Sequence, residues 1–304
     1  MLNALTIDLE DYYQVSAFES VVKRENWDKY ESRIERNTHR LLDILNGSLR
    51  TAVRATFFCL GWNAERYPGL IKRIKEEGHE IACHGYDHQL VYSLNPKQFR
   101  EDIRKSKKLL EDIVGEEVVG YRAPSYSINR KSLWAFEILV EEGYRYDSSI
   151  FPIYHDRYGM PNAPRFPFVI PLNGNSNVES GITPSSEFRT PNLEMNGLLE
   201  FPLSTVRICG RNLPISGGGY FRLFPYPVTR RALERINGKE RRPFIFYLHP
   251  WEIDPGQPKI QGTSVRSQFR HYLNLQKTEA KLKKLLKDFS FSSIKDALGL
   301  TYPA

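Results

Sequence analysis

Short apolar runs alternate with longer amphipathic segments along most of this chain, and this alternation restricts its fold more than any other feature. Six runs have the length and composition of strands: "NALTI" (3–7), "RATFFCL" (54–60), "HEIAC" (79–83), "EVVGY" (117–121), "YRYD" (144–147) and "PFIFYL" (243–248). Segments of helical periodicity lie between them, such as "PKQFREDIRKSKKLLEDIVG" (96–115). Strands that alternate with helices form parallel sheets with crossover helices. The sequence therefore predicts an α/β fold, either a barrel or a doubly wound sheet.

The alternation breaks between about residues 150 and 227, where Pro, Gly, Asn and Ser are frequent. A stretch of this length is too long for a plain connection, which favours a functional elaboration over one end of the sheet. Within it, "GGGYFRLFPY" places aromatics beside a glycine run, which predicts either a wall on which a ligand ring stacks or a loop that caps the core. With no linker or repeat in view, we expect a single domain, with its core in about 1–150 and 240–304 and a loop-rich elaboration in about 151–239.

Composition narrows the class of protein and the setting. The net charge of +7 comes from basic residues mixed with acids in helical segments, a pattern typical of solvated helix faces. The sequence contains no stripe of basic residues with interleaved aromatics, so we do not expect nucleic acid as a partner. No signal peptide and no apolar stretch of about 20 residues is evident, so we expect a cytoplasmic protein, with peripheral membrane contact left open. The sequence does not predict the oligomeric state. His39, His79 and His271 lie in helix or turn patterns, and we expect them at the surface.

Polar residues cluster where the predicted strands end. They are Asp8, Glu10 and Asp11 after the first run, His84 and His88 after the third, then Arg122, Asp147 and His249. The carboxyl ends of the strands of a parallel barrel face one way, and active sites are built there. Any one of these residues is equally well explained as a turn or helix cap. Five strand ends that carry such groups in succession indicate a site.

These residue types suit metal-assisted hydrolysis of an amide or ester. Two neutral imidazoles and a carboxylate leave open positions on Zn²⁺ or a similar ion. The i, i+4 spacing of His84 and His88 puts both on one face if the loop takes a helical turn. A second carboxylate can accept the proton of an attacking water, and Arg122 can keep an Asp ionised. His249, oriented by Asp147 or a neighbour, can protonate the leaving amine.

Five ordered motifs resemble those of the NodB-homology polysaccharide deacetylases of carbohydrate esterase family 4. They are "TIDLEDY" (6–12), "HGYDH" (84–88), "RAPSYS" (122–127), "YDSS" (146–149) and "YLHP" (247–250). The chain is more similar still to the subgroup that is associated with exopolysaccharide and exosortase loci. The resemblance implies a deformed (β/α) barrel of about seven strands and a divalent metal, with Zn²⁺ expected first and Co²⁺, Ni²⁺ or Mn²⁺ also open.

The resemblance also implies roles for individual residues. Asp8 matches the catalytic base, His84 and His88 the metal ligands, and Arg122 the arginine that holds the base. His249 matches the general acid, with Asp147 supporting it, and the backbone N–H of Ser125 would stabilise the tetrahedral oxyanion.

One departure from the family pattern concerns the carboxylate ligand. The usual adjacent pair of aspartates is spread here over Asp8-Leu9-Glu10-Asp11. Strand alternation puts Glu10 on the side of Asp8, whereas a turn that begins at Leu9 brings Asp11 inward. Both remain candidates, with a preference for Asp11 because aspartate is the usual family ligand.

We therefore expect a hydrolase of linear amides that removes N-acetyl groups from amino sugars of a polysaccharide or its lipid-linked precursor. An allantoinase-like, metal-independent hydrolase of cyclic amides is one alternative. A catalytically inactive glycan-binding relative is the other.

Overall fold

A computed structural model describes residues 1–47, 52–155, 158–171 and 197–300. Their strands are β1 Leu2–Leu9, β2 Thr56–Cys59, β3 Glu80–Cys83, β4 Gly120–Tyr121, β5 Tyr146–Asp147, β6 Phe168–Pro171, β7 Gly197–Glu200, β8 Thr205–Ile208, β9 Arg211–Pro214, β10 Ile245–Leu248 and β11 Ser290–Ser292. Their helices are α1 Ile34–Gly47, α2 Gly61–Arg66, α3 Pro68–Glu76, α4 Pro96–Val114, α5 Trp134–Glu141, α6 Gly218–Leu223, α7 Tyr226–Gly238, α8 Val265–Tyr272, α9 Leu275–Asp288 and α10 Ile294–Ala297. None of the helices in these ranges is both long enough and apolar enough to cross a membrane.

The chain divides into two compact units. The first consists of Met1–Phe57, Arg73–Glu80 and Ile215–Ala297, and the second of Phe58–Lys72, Ile81–Pro214 and Leu298–Ala304. Both β2 and α3 contribute residues to each unit.

The first unit is built on β1, which is buried from its second residue onward. Burial on both faces is the usual state of a strand in a parallel sheet covered by helices. β1 neighbours β2 and β10 and also pairs in parallel with β11. Parallel pairing with β10 sets Thr6 opposite Tyr247 and Ile7 opposite Leu248. Asp8 and His249 each follow the last of these pairs, so they emerge at the same edge of the sheet.

The second unit carries the strand order β2, β3, β4, β5, β7 and β6. Parallel pairing sets Cys83 opposite Tyr121, Tyr121 opposite Asp147, and Asp147 opposite Glu200. The final strand, β6, is antiparallel to β7, and β8 and β9 form a separate antiparallel pair. The residues that follow β3, β4 and β5 therefore also meet at one edge of their sheet.

Local sequence signals explain how α4 is bounded. Asn95 accepts a hydrogen bond from the backbone of Gln98, whose side chain accepts one from the backbone of Asn95, and Pro96 fills the first helical position. This capping box satisfies N–H groups that the first turn leaves open. Gly115 ends the helix with a φ of 70°, the left-handed conformation for which glycine is favoured.

The predicted α/β class is confirmed, while the strand pairs of the described residues close no barrel. Segment 151–239, for which the sequence indicated mainly loops, contains β6 to β9, α6 and α7, and its residues 172–196 lie outside the described ranges. In the "GGGYFRLFPY" stretch, Phe221 lies on α6 and is fully buried, as a core-capping role requires, whereas Tyr220, Phe224 and Tyr226 are partly exposed.

The expectation that His79 and His271 lie at the surface is wrong. Both are buried, with 1% and 4% of their surfaces exposed. His79 Nδ1 accepts a hydrogen bond from the backbone N–H of Ala55, and its ring packs edge-on against Phe57. His271 hydrogen-bonds Gln257 through Nε2 and stacks on Trp251. Each imidazole contributes to the core through its flat apolar faces while one nitrogen is satisfied by a nearby polar group.

Candidate functional site

Two carboxylates and an imidazole converge at the carboxyl edge of the first unit. His249 Nε2 lies 3.8 Å from Asp8 Oδ2 and 4.0 Å from Glu10 Oε1. One ligand atom from each of the three residues lies within 4.8 Å of the others. Asp8 and Glu10 are almost fully buried. Such a group can bind a cation or pass a proton between its members.

A tight turn at Leu9 determines which acidic side chain joins this cluster. The backbone N–H of Glu10 donates to the carbonyl of Asp8, 2.9 Å away, so the chain bends directly after β1. Glu10 is thereby grouped with Asp8 and His249. The predicted turn is present, and Glu10 stays beside Asp8.

Asp11 accepts hydrogen bonds that fix the loop around Ser32 and Arg33. Its Oδ1 accepts from the N–H of Tyr12, and its Oδ2 accepts from Ser32 Oγ and the N–H of Arg33, each at 2.8–2.9 Å. Burial raises the pKa of Asp11 above its usual value, and these hydrogen bonds oppose that rise. Asp11 is thus held by hydrogen bonds to nearby backbone and Ser32, whereas Glu10 is grouped with Asp8 and His249. This grouping supports Glu10 as the carboxylate ligand, although the sequence preferred Asp11, and the assignment stays a prediction.

His249 has a buried carboxylate on its other nitrogen. Its Nδ1 lies 2.8 Å from Glu252 Oε1, which also accepts from the backbone N–H of His249. Burial alone lowers the pKa of His249, but the bond to Glu252 and the charges of the neighbouring carboxylates raise it to about 9. A raised pKa suits His249 to the role of proton donor.

Glu252 was not among the predicted residues. The sequence left the partner of His249 open as Asp147 or a neighbour, and the family resemblance assigned Asp147. One local signal was present, because Glu252 follows His249 by three residues, the spacing at which a glutamate reaches back to the start of a turn. Arg222 binds the far oxygen of Glu252 at 2.7 Å, and nothing in the local sequence indicated that role.

His84 and His88 lie in the second unit on the loop after β3, and both are buried. His84 Nδ1 is 2.7 Å from the carbonyl oxygen of Arg122. A carbonyl only accepts, so Nδ1 carries the hydrogen, and in a neutral ring the lone pair then lies on Nε2. Metal-binding histidines are usually oriented by such a bond. The two imidazoles are 5.6 Å apart, centre to centre.

The loop does not take the helical turn that the i, i+4 spacing suggested. Gly85 has a φ of 75° and His88 a φ of 60°, and these left-handed residues bring the rings together. Asp102 on α4 accepts from the N–H of Tyr86 and fixes the loop. The close approach requires a small residue, since a Cβ on Gly85 would lie 3.0 Å from Asp102 Oδ2.

Arg122 and Asp147 are fully buried at the ends of β4 and β5. Arg122 donates from Nε to the carbonyl of Ser148 and from Nη2 to its Oγ, at 3.0 and 2.9 Å. Asp147 accepts from the hydroxyl and the N–H of Ser149 and faces the buried Glu200. Burial raises the pKa of both carboxyl groups, and the charge of Asp147 raises that of Glu200 further.

Ser125 lies in a 3₁₀ turn, Pro124–Tyr126, directly after β4. Its φ of 51° and the φ of 56° at Tyr126 put two successive non-glycine residues in the left-handed region. Strain of this kind is retained where the surroundings fix an unusual backbone direction, often at functional sites. The proposed role of its N–H toward an oxyanion stays a prediction.

Comparisons with known proteins agree with the resemblance of the motifs. The family model "Polysaccharide deacetylase" matches residues 26–146, and the model "Domain of unknown function (DUF3473)" matches residues 148–299. A peptidoglycan-N-acetylglucosamine deacetylase of Bacillus cereus is 38% identical over 101 residues, which cover 33% of this chain and 36% of that protein. A peptidoglycan deacetylase of Helicobacter pylori is 32% identical over 109 residues, which cover 34% and 36%. The chain thus matches about a third of the length of these relatives.

Among solved structures, that of a "putative polysaccharide deacetylase" from Mycobacterium smegmatis has a TM-score of 0.57 and 18% identity, and the match covers 99% of this chain and 95% of that one. At this identity the likeness bears on the fold alone. The two family models, read with the five ordered motifs, show that this chain belongs to the NodB-homology polysaccharide deacetylases of carbohydrate esterase family 4 and that its C-terminal half is a DUF3473 domain.

Proposed function

We propose that this protein is a metal-dependent hydrolase that removes N-acetyl groups from the amino sugars of a polysaccharide. The observation that carries the proposal is the cluster of Asp8, Glu10 and His249 at the carboxyl edge of the first unit. It offers a base and a protonated acid at the positions that the family motifs reserve for them. The names of the two curated relatives point to peptidoglycan, and that of the Bacillus cereus protein points to N-acetylglucosamine within it. Because these relatives are named as deacetylases, we propose neither a cyclic amide hydrolase nor an inactive glycan-binding protein.

His84, His88 and Glu10 are the residues we assign to the metal. The donor set of two imidazoles and a carboxylate suits Zn²⁺ and similar ions, and the bond from His84 Nδ1 to the Arg122 carbonyl fits a ligating Nε2. When bound, a divalent ion lowers the pKa of a water to about 7 and polarises the acetyl carbonyl. Zn²⁺ stays our expected metal.

The remaining residues move protons and hold charge. Asp8 accepts the proton of the attacking water, and the N–H of Ser125 donates to the developing oxyanion. As the C–N bond breaks, its electron pair passes to nitrogen, and His249 Nε2 donates a proton to the leaving amine. The raised pKa of His249 keeps that proton available at neutral pH. Arg122, fixed by Ser148, is assigned to holding the base, and Asp147 to the buried support of the site.

The first experiment measures metal content and acetate release together. Purified protein is incubated with N-acetylglucosamine oligomers and with peptidoglycan fragments, beside a His84→Ala/His88→Ala variant. His39→Ala is the matched control, since His39 is a partly exposed histidine on α1. We expect about one divalent ion per chain and acetate release in the wild type and control, with both lost in the double variant. Acetate release that survives complete loss of metal would contradict the proposal.

A polysaccharide precursor linked to lipid, an exopolysaccharide product and a cytoplasmic location remain predictions from the sequence. Parallel assays with a glycolipid and with free oligomers test the first of them.

A further inference from the structure

A chain of buried charges lies behind His249. Arg222 and Glu252 are 4% and 0% exposed and form an ion pair of 2.7 Å between Nε and Oε2. Glu252 Oε1 in turn binds His249 Nδ1 at 2.8 Å. The order Arg222–Glu252–His249 thus runs from the interior to the acid of the proposed reaction.

We propose that Glu252, backed by Arg222, is the positioning residue that holds His249 as the proton donor, a role that the motif resemblance assigned to Asp147. This inference rests on the proposed function and adds a residue pair to it.

Two hydrogen bonds to one oxygen fix the imidazole. Glu252 Oε1 accepts from both the backbone N–H and the ring Nδ1–H of His249. The bond keeps a hydrogen on Nδ1 before and after proton transfer and leaves Nε2 directed toward Asp8, 3.8 Å away. The ring of Trp251 lies beside His249 at 24° and 5.1 Å between centres, which limits rotation of the imidazole. The proton is therefore delivered from a single direction.

Arg222 makes an ionised glutamate tolerable in this position. Burial raises the pKa of Glu252, but the charges and hydrogen bonds of Arg222 and His249 outweigh burial and lower it. The guanidinium is itself anchored, since Nη1 donates to the carbonyls of His271 and Leu273. An unpaired carboxylate buried here would take up a proton and lose its hold on Nδ1.

Asp147 has partners of its own within the second unit. Both of its oxygens accept from Ser149, and its carboxyl group faces Glu200. It carries the signature of a structural carboxyl group, whereas Glu252 has direct hydrogen bonds to the acid.

The test compares two substrates that differ in their need for an acid. An N-acetylglucosamine oligomer releases an amine that must be protonated, whereas 4-nitrophenyl acetate releases a phenolate that leaves without a proton. Both are assayed with the wild type, Glu252→Gln and Glu252→Asp, together with metal content and thermal unfolding. Asp254→Asn is the matched control, because Asp254 lies two residues beyond Glu252 and pairs with Arg33 and Arg36, away from His249.

We expect Glu252→Gln to lower kcat on the amide about 100-fold with KM and metal content unchanged, while the aryl ester changes less than about threefold. Glu252→Asp keeps the charge but shortens the reach, so its kcat falls between the two. Asp254→Asn lowers the unfolding temperature and keeps the ratio of amide to ester activity of the wild type.

Two results would overturn the inference: amide turnover by Glu252→Gln that equals the wild type, or an equal loss on both substrates. If Glu252→Gln does not fold, Arg222→Met/Glu252→Gln removes both buried charges at once and is judged by the same ratio. A wild type that binds metal but releases no acetate from any amide substrate refutes the proposed function itself, and the inference falls with it.

Discussion

Replacement of His79 by asparagine tests whether a buried neutral imidazole makes this fold sensitive to acid. His79 Nδ1 accepts from the Ala55 N–H at 3.2 Å, so the ring must be neutral to keep that bond. Burial, assisted by the nearby charge of Arg54, lowers the pKa of His79 to about 4. An asparagine Oδ1 can accept in place of Nδ1 and does not titrate.

The size of the effect follows from the two pKa values. The unfolded chain binds a proton at about pH 6.5, and the folded chain does so only near pH 4. Above pH 6.5 neither state is protonated at His79 and the residue adds no pH dependence. Between pH 6.5 and pH 4 only the unfolded state gains the proton, so stability falls as the pH falls. The loss is about 2 kcal/mol at pH 5 and approaches about 3 kcal/mol near pH 4.

The assay is urea unfolding of the wild type and His79→Asn at pH 7.5, 6.5, 5.5 and 5.0. The variant loses the ring packing on Phe57 and so is less stable at pH 7.5. Its deficit should shrink by about 2 kcal/mol by pH 5, because it lacks the titration. Two curves that stay parallel from pH 7.5 to pH 5 would refute the reasoning.

Dialysis against a chelator should lower acetate release at least about 100-fold and added Zn²⁺ should restore it, as followed by acetate assay; full activity of the metal-free protein would argue against the metal. Loss of a residue that hydrogen-bonds a metal ligand weakens metal binding roughly 10–100-fold, and Glu10→Gln, which removes a ligand, should weaken it more. Asp11→Asn should chiefly lower the free energy of unfolding, by about 1–3 kcal/mol. Calorimetric titration with Zn²⁺ separates the two, and the reverse result would return the ligand role to Asp11. Gly217→Ala should cost more than about 3 kcal/mol in urea unfolding, because its Cβ would lie 1.9 Å from the Tyr247 carbonyl oxygen. Gly219→Ala on α6, whose Cβ meets nothing closer than 3.9 Å, is the control and should be nearly neutral.

Sequence patterns predicted the parts of the fold that depend on period and position. The apolar run that leads to Asp8 lies in β1, and the run before His249 forms β10, so the two side chains were expected at one edge and lie there. The end of α4 was likewise legible, because Gly115 is the kind of residue that a left-handed stop requires.

Side-chain contacts between residues that are far apart in the sequence could not be predicted. Arg222 lies thirty residues before Glu252, inside a glycine-rich stretch whose local pattern gives no sign of a buried ion pair. His79 follows a helix and a glycine, as surface turn residues often do, and only tertiary packing buries it. The choice between Glu10 and Asp11 depended on the hydrogen bonds that Ser32 and Arg33 donate to Asp11. Ser32 lies 21 residues away in the sequence, so local patterns could not predict this contact.

The pairing of β1 with β10 bears on how sequences of this kind can diverge. Side chains alternate across a strand, so a single inserted or deleted residue within β1 would turn Asp8 away from His249 and force the buried side chains of each face into the packing of the other. Substitution in β1 changes one side chain, whereas a change of length reverses all those beyond it. The number of residues in β1 should therefore vary less than their types. In a scan of single-residue insertions, tolerance should rise sharply where the strand ends and the turn at Leu9 begins.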